Sequence, residues 1–277
     1  MQYPEQRKSL PPYEALRLRL EEFLPSVGER VLALRAKAEQ DPDFAKMKAD
    51  KSIVTKADEL AETLIRAWVS ERFPNDSIRG EEQEDKVGGG RTWIVDPIDG
   101  TYNFTHTGDK FGISVGVYEG NAAKLGVIFY PVEQVMLSAS YGAGARLNGE
   151  SLAIGKGNED IDKALIIGEW HPLHQKDPHF TITGPQTEKL LATVTHHDIG
   201  WSATNTFREM LHGTEDVFLY PGLTPYDIGA MVCIAQELGM SVSGYDGAPV
   251  NLNQERVPIV ISRNQKLHQS IIERLNS

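Results

Sequence analysis

The chain has 277 residues, of which 40% are hydrophobic and 24% are charged. This length is enough to bury a substantial core, in one large domain or in two halves that share an interface. The balance of 28 lysines and arginines against 39 aspartates and glutamates gives a formal net charge of -11. That charge argues against non-specific electrostatic binding to nucleic acid or to an anionic membrane. Cys233 is the single cysteine, which excludes a disulfide framework and a cysteine-based zinc site.

The first residues are polar and contain proline, and they lack the apolar core of a secretory signal. No other stretch approaches the length of a membrane span. We therefore expect a cytoplasmic protein with neither a nucleic-acid nor a membrane partner. If an acidic protein binds an anion, the electrostatic potential at the binding site must be positive even though the net charge is negative. Bound divalent cations are the usual source of that positive potential.

The periodicity of apolar residues predicts helices first and strands afterwards. Near-helical spacing predicts an amphipathic helix over residues 12–38 and a second over residues 56–73, with a polar loop over residues 46–52 between them. Residues 92–140 are rich in β-branched and aromatic residues bounded by Gly, Pro and Asn, which predicts a mostly antiparallel meander.

The last part of the chain alternates between strand and helix patterns, which predicts layered α/β (mixed α+β) architecture. The predicted strands cover residues 164–168, 217–219 and 257–262, and the predicted helices cover residues 186–192, 203–212, 227–238 and 264–275.

The most informative segment is the turn from Asp96 to Thr101. An apolar strand ends at Asp96, and Asp99 follows after a bend that Pro97 fixes, so two carboxylates can converge on one point. Gly100 lets the backbone approach a ligand closely. The amides of Gly100 and Thr101 open a short helix, and helix N-termini attract anions. The segment offers cation ligands beside an anion cradle, as a metal-bridged phosphate requires.

Three further acidic residues lie at the ends of predicted elements. Glu81 follows a short strand, while Asp58 and Asp227 each lie in the first turn of a helix. Each has a purely structural alternative, because helix-start aspartates cap helices and a glutamate pair is usually solvated. Together with the turn they form an oxygen-rich set suited to Mg²⁺.

A phosphatase of the haloacid dehalogenase type is an alternative, since its signature Asp-x-Asp-Gly-Thr also ends a strand. Its first aspartate is a nucleophile. Asp96 and Asp99 are separated by two residues rather than one, so they cannot share that strand-face geometry.

The chain resembles the inositol monophosphatase family of lithium-sensitive, magnesium-dependent phosphatases. The matching segments are residues 48–58, 80–82, 96–104, 144–149 and 226–227. The aspartate turn is a highly specific motif, whereas the flanking segments are individually weak. The resemblance implies a layered α-β-α-β-α fold, a homodimer, and hydrolysis of a small phosphate monoester such as inositol monophosphate by metal-activated water.

The resemblance also implies a metal-ligand set. Glu81, Asp96 and the carbonyl of Ile98 would hold one Mg²⁺, and Asp96, Asp99 and Asp227 would hold a second. Glu81 would help to hold a weaker third ion. Two Mg²⁺ per subunit, or three, are therefore the expected cofactors, with Li⁺ as an inhibitor.

The same resemblance implies that Thr101, hydrogen-bonded to Asp58, orients and deprotonates the attacking water. Glu81 belongs to this catalytic set as a ligand of the ion that holds the water, and Glu82 supports it. The reaction would be an in-line displacement at phosphorus without a phosphoenzyme. A relative that kept the fold and lost turnover is the competing hypothesis, and the complete ligand set argues against it.

Substrate choice is the open question. The residues expected to contact substrate are Gly100, Thr101, Asp99, Asp227 and Tyr220. Tyr220 stands where inositol-specific members tend to place a glutamate for sugar hydroxyls. Histidinol phosphate is a serious alternative, because its phosphatases often carry Pro-Tyr-Asp, as in residues 225–227, and other sugar or nucleotide phosphates stay open. The histidine-containing residues 169–183 either line the substrate mouth or form a solvated loop.

Two halves are expected from this arrangement. An N-terminal α+β half, residues 1–155, would carry most of the metal ligands. A C-terminal α/β half, residues 156–277, would supply Asp227 and the segments that determine substrate specificity.

Overall fold

The computed structural model describes residues 12–48, 52–168, 178–198 and 202–277. The helices are α1 (Pro12–Arg35), α2 (Lys56–Arg72), α3 (Thr101–His106), α4 (Pro178–Leu191), α5 (Ala203–His212), α6 (Pro225–Glu237) and α7 (Gln265–Leu275), with a 3-10 turn at Ala38–Gln40. The strands are β1 (Ala45–Met47), β2 (Ile53–Thr55), β3 (Ser77–Gly80), β4 (Thr92–Asp99), β5 (Gly112–Glu119), β6 (Ala122–Tyr130), β7 (Val135–Ser140), β8 (Ala145–Leu147), β9 (Glu150–Ser151), β10 (Leu165–Gly168), β11 (Thr195–Asp198), β12 (Val217–Leu223), β13 (Ser241–Ser243) and β14 (Val257–Ser262). Among the described helices, none is long and apolar enough to cross a membrane.

The elements stack in five layers. A seven-stranded sheet in the order β3-β4-β5-β6-β7-β8-β9 carries α1 and α2 on one face and α6 on the other. A five-stranded sheet in the order β11-β10-β12-β14-β13 contacts the other side of the α5 and α6 layer, and α4 and α7 cover its outer face. The expected α-β-α-β-α fold, a mixed α/β class, is confirmed.

The edge of the large sheet determines where the acidic residues meet. β3 runs parallel to β4, with Ile78 opposite Trp93 and Gly80 opposite Val95, whereas β4 is antiparallel to β5. Because parallel strands end at the same edge, the residues after β3 lie beside the end of β4. The β4–β5 register shifts between Asp96 and Asp99, where proline removes a ladder donor and permits a bulge.

Helix α6 packs unusually close to the large sheet because two strand glycines face it. A Cβ at Gly116 would lie 2.3 Å from the carbonyl oxygen of Gly229, and one at Gly126 would lie 2.1 Å from that of Ala230. The hydroxyl of Tyr118 also donates to the carbonyl of Gly229 at 2.8 Å. These contacts hold the second turn of α6 against β5 and β6, and Gly229 in the same turn also lies against Ile94 of β4. The residues in this contact come from both predicted halves, since Gly116 and Gly126 precede position 155 and Gly229 and Ala230 follow it. The division into two halves stays a prediction.

The structure corrects the expected polar loop over residues 46–52 at its start, because Lys46 and Met47 belong to β1. Residues 49–51 of that loop lie outside the described residues. β1 pairs with β2 in antiparallel register, with Lys46 opposite Val54. All three residues of β1 are exposed, so this strand has no alternation of apolar and polar residues to reveal it. The histidine-containing segment expected at the substrate mouth falls mostly outside the described residues, and its role stays a prediction.

His268 is a buried histidine on α7 that packs against β13 and β14. Its Nε2 lies 2.8 Å from Ser243 Oγ and its Nδ1 lies 3.1 Å from Ser262 Oγ. Burial lowers the pKa of His268 from 6.5 to about 4. The neutral ring therefore contributes stability that is complete above the unfolded pKa and is lost as the pH falls from 6.5 towards 4.

We predict that His268→Gln weakens the acid sensitivity of folding. As the pH falls from 7 to 4.5, the parent should lose about 2 kcal/mol more unfolding free energy than the variant, because the variant has no ring to protonate. Urea unfolding in EDTA at both pH values measures this. The exposed His212→Gln is the matched control, and an equal pH dependence in parent and His268→Gln would contradict the prediction.

Candidate metal and phosphate site

Three aspartates meet where β4 ends and α6 begins. One carboxylate oxygen from each of Asp96, Asp99 and Asp227 lies within 4.8 Å of the other two. Asp96 and Asp99 are only 1% and 5% exposed. The structure thus brings together three of the predicted ligands from two distant parts of the chain.

Local hydrogen bonds orient the two aspartates of the turn. Asp96 Oδ1 accepts the amide of Ile98 at 3.1 Å, which tightens the bend after Pro97. Asp99 Oδ2 accepts the amide of Thr204 at 2.7 Å and also the hydroxyl of that residue. Thr204 lies in the first turn of α5, so Asp99 links the end of β4 to the helix layer. No local pattern in the sequence indicates this role of Thr204, because Thr204 lies 105 residues away from Asp99.

Asp58 and Asp227 are held by the same device, a capping box in the first turn of a helix. Asp58 Oδ2 accepts the amide of Thr55 at 2.8 Å, and Asp227 Oδ2 accepts the amide of Thr224 at 2.6 Å. Each threonine hydroxyl also donates to the same Oδ2 atom. Capping therefore uses one oxygen, and the other is available to the site. The structural and functional interpretations of these aspartates are compatible.

The free oxygen of Asp58 faces Thr101. Thr101 Oγ1 lies 3.2 Å from Asp58 Oδ1 and 3.0 Å from the carbonyl oxygen of Ile98. A hydroxyl has one proton, so it donates to one of these acceptors at a time. Burial raises the pKa of Asp58 to about 6. Gly100 precedes the helix in the left-handed conformation, with φ of 92°, where a Cβ would lie 2.9 Å from Ser202 Cβ.

Glu81 is the predicted metal ligand that the aspartate cluster does not include. Glu81 Oε1 lies 3.1 Å from Lys48 Nζ, and Glu82 Oε1 lies 2.6 Å from the same ammonium. Burial acts to lower the pKa of Lys48, but the charges and hydrogen bonds of Glu81 and Glu82 raise it above its usual value. Burial raises the pKa of Glu82 to about 7.

Tyr220 is placed in the core rather than on an open surface. Its side chain is 3% exposed, its ring lies 4.6 Å from that of Phe218, and its hydroxyl lies 3.1 Å from Thr206 Oγ1. Direct contact between Tyr220 and a substrate stays a prediction, and this burial argues against it. The residue supports α5, the helix that carries Thr204.

The charges of the cluster demand a cation. Burial raises the pKa of Asp96 well above its ordinary value, and the charges of Glu81 and Asp99 raise it further. Burial and the charge of Asp99 raise the pKa of Asp227 to about 7. At an effective dielectric of about 20, unit charges about 5 Å apart repel by about 3 kcal/mol per pair. Three such pairs rival a typical folding free energy of about 5–15 kcal/mol. A divalent cation with oxygen ligands fits these residues.

Comparison with known proteins identifies the family. The family model described as the inositol monophosphatase family matches residues 23–277. This chain belongs to the inositol monophosphatase family. The resemblance inferred from the aspartate turn is therefore confirmed, and the chain is an enzyme that hydrolyses phosphate monoesters.

Individual members of the family support this assignment. Inositol monophosphatase 2 of Homo sapiens is 32% identical over 78% of this chain and 76% of its own length. A histidinol-phosphatase of Chlorobaculum parvum is 29% identical over 81% of this chain and 84% of its own length. The structure of inositol monophosphatase II from Staphylococcus aureus superimposes with a TM-score of 0.76 at 26% identity, covering 93% of this chain and 92% of that one.

We predict that Asp96→Asn stabilises the metal-free protein and abolishes its response to Mg²⁺. The substitution removes a carboxyl group that the metal-free fold must either bury as a charge or protonate, while the amide oxygen of Asn can still accept the Ile98 amide. In EDTA the Tm should rise by about 2–4 °C for each kcal/mol of repulsion removed. Thermal melts with and without Mg²⁺ measure both effects.

The matched control is Asp162→Asn, which removes an exposed carboxylate paired with Arg274. Exposed pairs contribute little to stability, so this variant should melt and respond to Mg²⁺ as the parent does. A lower Tm for Asp96→Asn in EDTA, combined with an unchanged Mg²⁺ response, would contradict the charge-repulsion argument.

Proposed function

We propose that the chain is a Mg²⁺-dependent phosphatase of a small phosphate monoester, such as inositol monophosphate, that uses a water molecule as the nucleophile. The observation that carries the proposal is the convergence of Asp96, Asp99 and Asp227 within 4.8 Å, beside the hydrogen-bonded pair of Thr101 and Asp58. The first set suits cations and the second suits a base for water. Their adjacency at the end of β4 is what metal-assisted hydrolysis needs.

Two Mg²⁺ ions are proposed, with Asp96 as their shared ligand. Glu81 and the carbonyl of Ile98 would complete one site, and Asp99 and Asp227 would complete the other. When bound, Mg²⁺ would lower the pKa of water, neutralise phosphate oxygens and stabilise the leaving oxygen. Glu81 Oε1 contacts the Lys48 ammonium, so its other oxygen, Oε2, would be the one to bind an ion while the ion pair with Lys48 is kept. A weaker third ion at Glu81 belongs to the same proposal.

Thr101 and Asp58 are proposed to orient the water and to remove its proton. When the Thr101 hydroxyl donates to Asp58 Oδ1, its lone pairs can accept a hydrogen bond from the attacking water. The proton that the water loses can then pass through Thr101 to Asp58. Burial raises the pKa of Asp58 above that of an exposed aspartate, which makes its carboxylate a better proton acceptor. Glu82 contacts the same Lys48 ammonium as Glu81 and would support Glu81 in its position.

The phosphate and leaving group are proposed to contact the same turn. The amides of Gly100 and Thr101 open α3, and the first amides of a helix have no partner within it. They are available to phosphate oxygens, while Asp99 and Asp227 would orient the leaving group.

A second candidate substrate is histidinol phosphate. The specific observation is Tyr220, which replaces the glutamate expected of inositol-specific members and is buried at 3% exposure. A carboxylate for sugar hydroxyls is therefore missing at this position. The similarity to a histidinol-phosphatase supports the same alternative.

Phosphate release from inositol 1-phosphate and histidinol phosphate, each with and without Mg²⁺, tests the proposed function. We expect release only with Mg²⁺, inhibition by Li⁺, and a higher specificity constant for the polyol phosphate. A higher constant for histidinol phosphate would favour the second candidate. No release from either compound would contradict both. A cytoplasmic homodimer is also expected, and the mass of the particle in solution tests the dimer.

We predict that Thr101→Ala lowers kcat by about 10²- to 10⁴-fold, the usual contribution of a base, and leaves KM nearly unchanged. Thr101→Ser should retain most of the activity, because it keeps the hydroxyl. Asp58→Asn should resemble Thr101→Ala, and the double variant should lose little more than either one. Steady-state kinetics at saturating Mg²⁺ measure this. Equal losses for Thr101→Ala and Thr101→Ser, or strictly additive losses in the double variant, would contradict the shared role.

A further inference from the structure

Glu62 is a fully buried carboxylate that the proposed chemistry does not use. It lies on α2, one turn after Asp58, and its side chain is 0% exposed. Its Oε2 accepts the amide of Glu82 at 2.7 Å, and its Oε1 accepts the amide of Gln83 at 3.1 Å. Each of its two oxygens therefore holds one backbone amide in the loop that begins with Glu81.

Two neighbours reinforce this contact. Arg66 donates to Glu62 Oε1 at 2.6 Å and to the carbonyl of Gln83 at 3.0 Å, so it ties the carboxylate to the same loop. Gly80 has no Cβ, and a Cβ there would lie 2.1 Å from Glu62 Oε1. Gly80 does not have a positive φ, so its role is to leave room for the Glu62 carboxylate. This explains the glycine that precedes the two glutamates.

The loop is held from both sides by elements that carry site carboxylates. On one side Glu62 clamps it to α2, where Asp58 lies four residues earlier and on the same helix face. On the other side the amide of Glu81 donates to the carbonyl of Val95 on β4 at 3.3 Å, next to Asp96. Without the Glu62 clamp, the α2 side would hold the loop only at Gln83, through Arg66 and through Thr63 Oγ1, which accepts from Gln83 Nε2 at 2.9 Å. The backbone amides of Glu82 and Gln83 would lose their acceptor.

We infer that Glu62 is a positioning residue that fixes residues 81–83 so that Glu81 meets the metal site at a set distance from Asp58. This inference rests on the proposed role of Glu81 as a metal ligand. Residues that orient metal ligands through hydrogen bonds typically change metal affinity or activity by about 10- to 100-fold when altered. Glu62 acts here through the backbone of the loop rather than through a ligand side chain.

Two variants test the inference by different routes. Glu62→Gln keeps the shape but presents an NH₂ group to one of the two amides, and it also loses the charge that Arg66 contacts. Gly80→Ala keeps every charge and displaces Glu62 by its Cβ. Both should raise the Mg²⁺ concentration at half-maximal effect by about 10- to 100-fold. That midpoint is read from the Mg²⁺-induced rise in Tm and, separately, from the Mg²⁺ dependence of phosphate release.

Glu14→Gln is the matched control. Glu14 is a buried carboxylate on α1 that accepts from Arg17 Nε at 2.9 Å and from Ser140 Oγ at 2.7 Å, in a separate network between α1 and β7. It should lower the Tm and leave the Mg²⁺ midpoint unchanged.

The possible results distinguish an effect on the position of residues 81–83 from an effect on fold stability and from an effect of the Glu62 charge. A lower Tm with an unchanged Mg²⁺ midpoint in both Glu62→Gln and Gly80→Ala would overturn the inference. A raised midpoint in Glu62→Gln alone would also overturn it, because charge and not position would then explain the effect. A parent protein with neither a Mg²⁺-induced Tm shift nor Mg²⁺-dependent phosphate release would instead contradict the proposed function, and the inference would fall with it.

Discussion

Mutual repulsion among buried carboxylates is the constraint on which the rest of the site depends. Three aspartates place oxygens within 4.8 Å of one another, and burial and neighbouring charges raise the pKa of each. Such a cluster opposes folding unless cations or protons neutralise it, because removing charges from water already costs several kcal/mol per ion. The fold tolerates this arrangement because every one of these carboxylates also has a fixed hydrogen-bond partner.

The surrounding architecture can be understood as the means of holding these charges in place. β4 bulges between Asp96 and Asp99, and α5 holds Asp99 through Thr204. α6 approaches the large sheet over Gly116 and Gly126, which brings its first turn to the end of β4. Capping boxes fix one oxygen of an aspartate at the start of α2 and of α6. The same local device thus stabilises two helices and orients two carboxylates.

The sequence was sufficient for the parts of the site that depend on local chemistry. Asp96, Asp99 and Thr101 lie in one turn whose proline and glycine indicate its geometry, and Asp58 and Asp227 carry helix-start signals. Long-range partners were not predictable in this way. Thr204 and Glu62 bind groups 105 and 20 residues away in the chain, and a single sequence carries no signal for such pairs.

The fold shows the same division between local and long-range information. Long helices and the antiparallel meander were predicted because their apolar periodicity extends over many residues. β1 was missed because all three of its residues are exposed. The burial of Tyr220 was also missed, because a tyrosine in a strand is equally compatible with the core and with a binding surface.

The most direct test of this account is a crystal structure of the protein soaked with Mn²⁺ and inorganic phosphate, with the ions located by their anomalous scattering. Mn²⁺ accepts the same oxygen ligands as Mg²⁺. We expect anomalous peaks between Asp96 and its neighbours Asp99, Asp227 and Glu81, with Asp96 as a ligand of two ions. Saturating Mn²⁺ that leaves the three aspartates without a peak, or that binds only elsewhere, would contradict it.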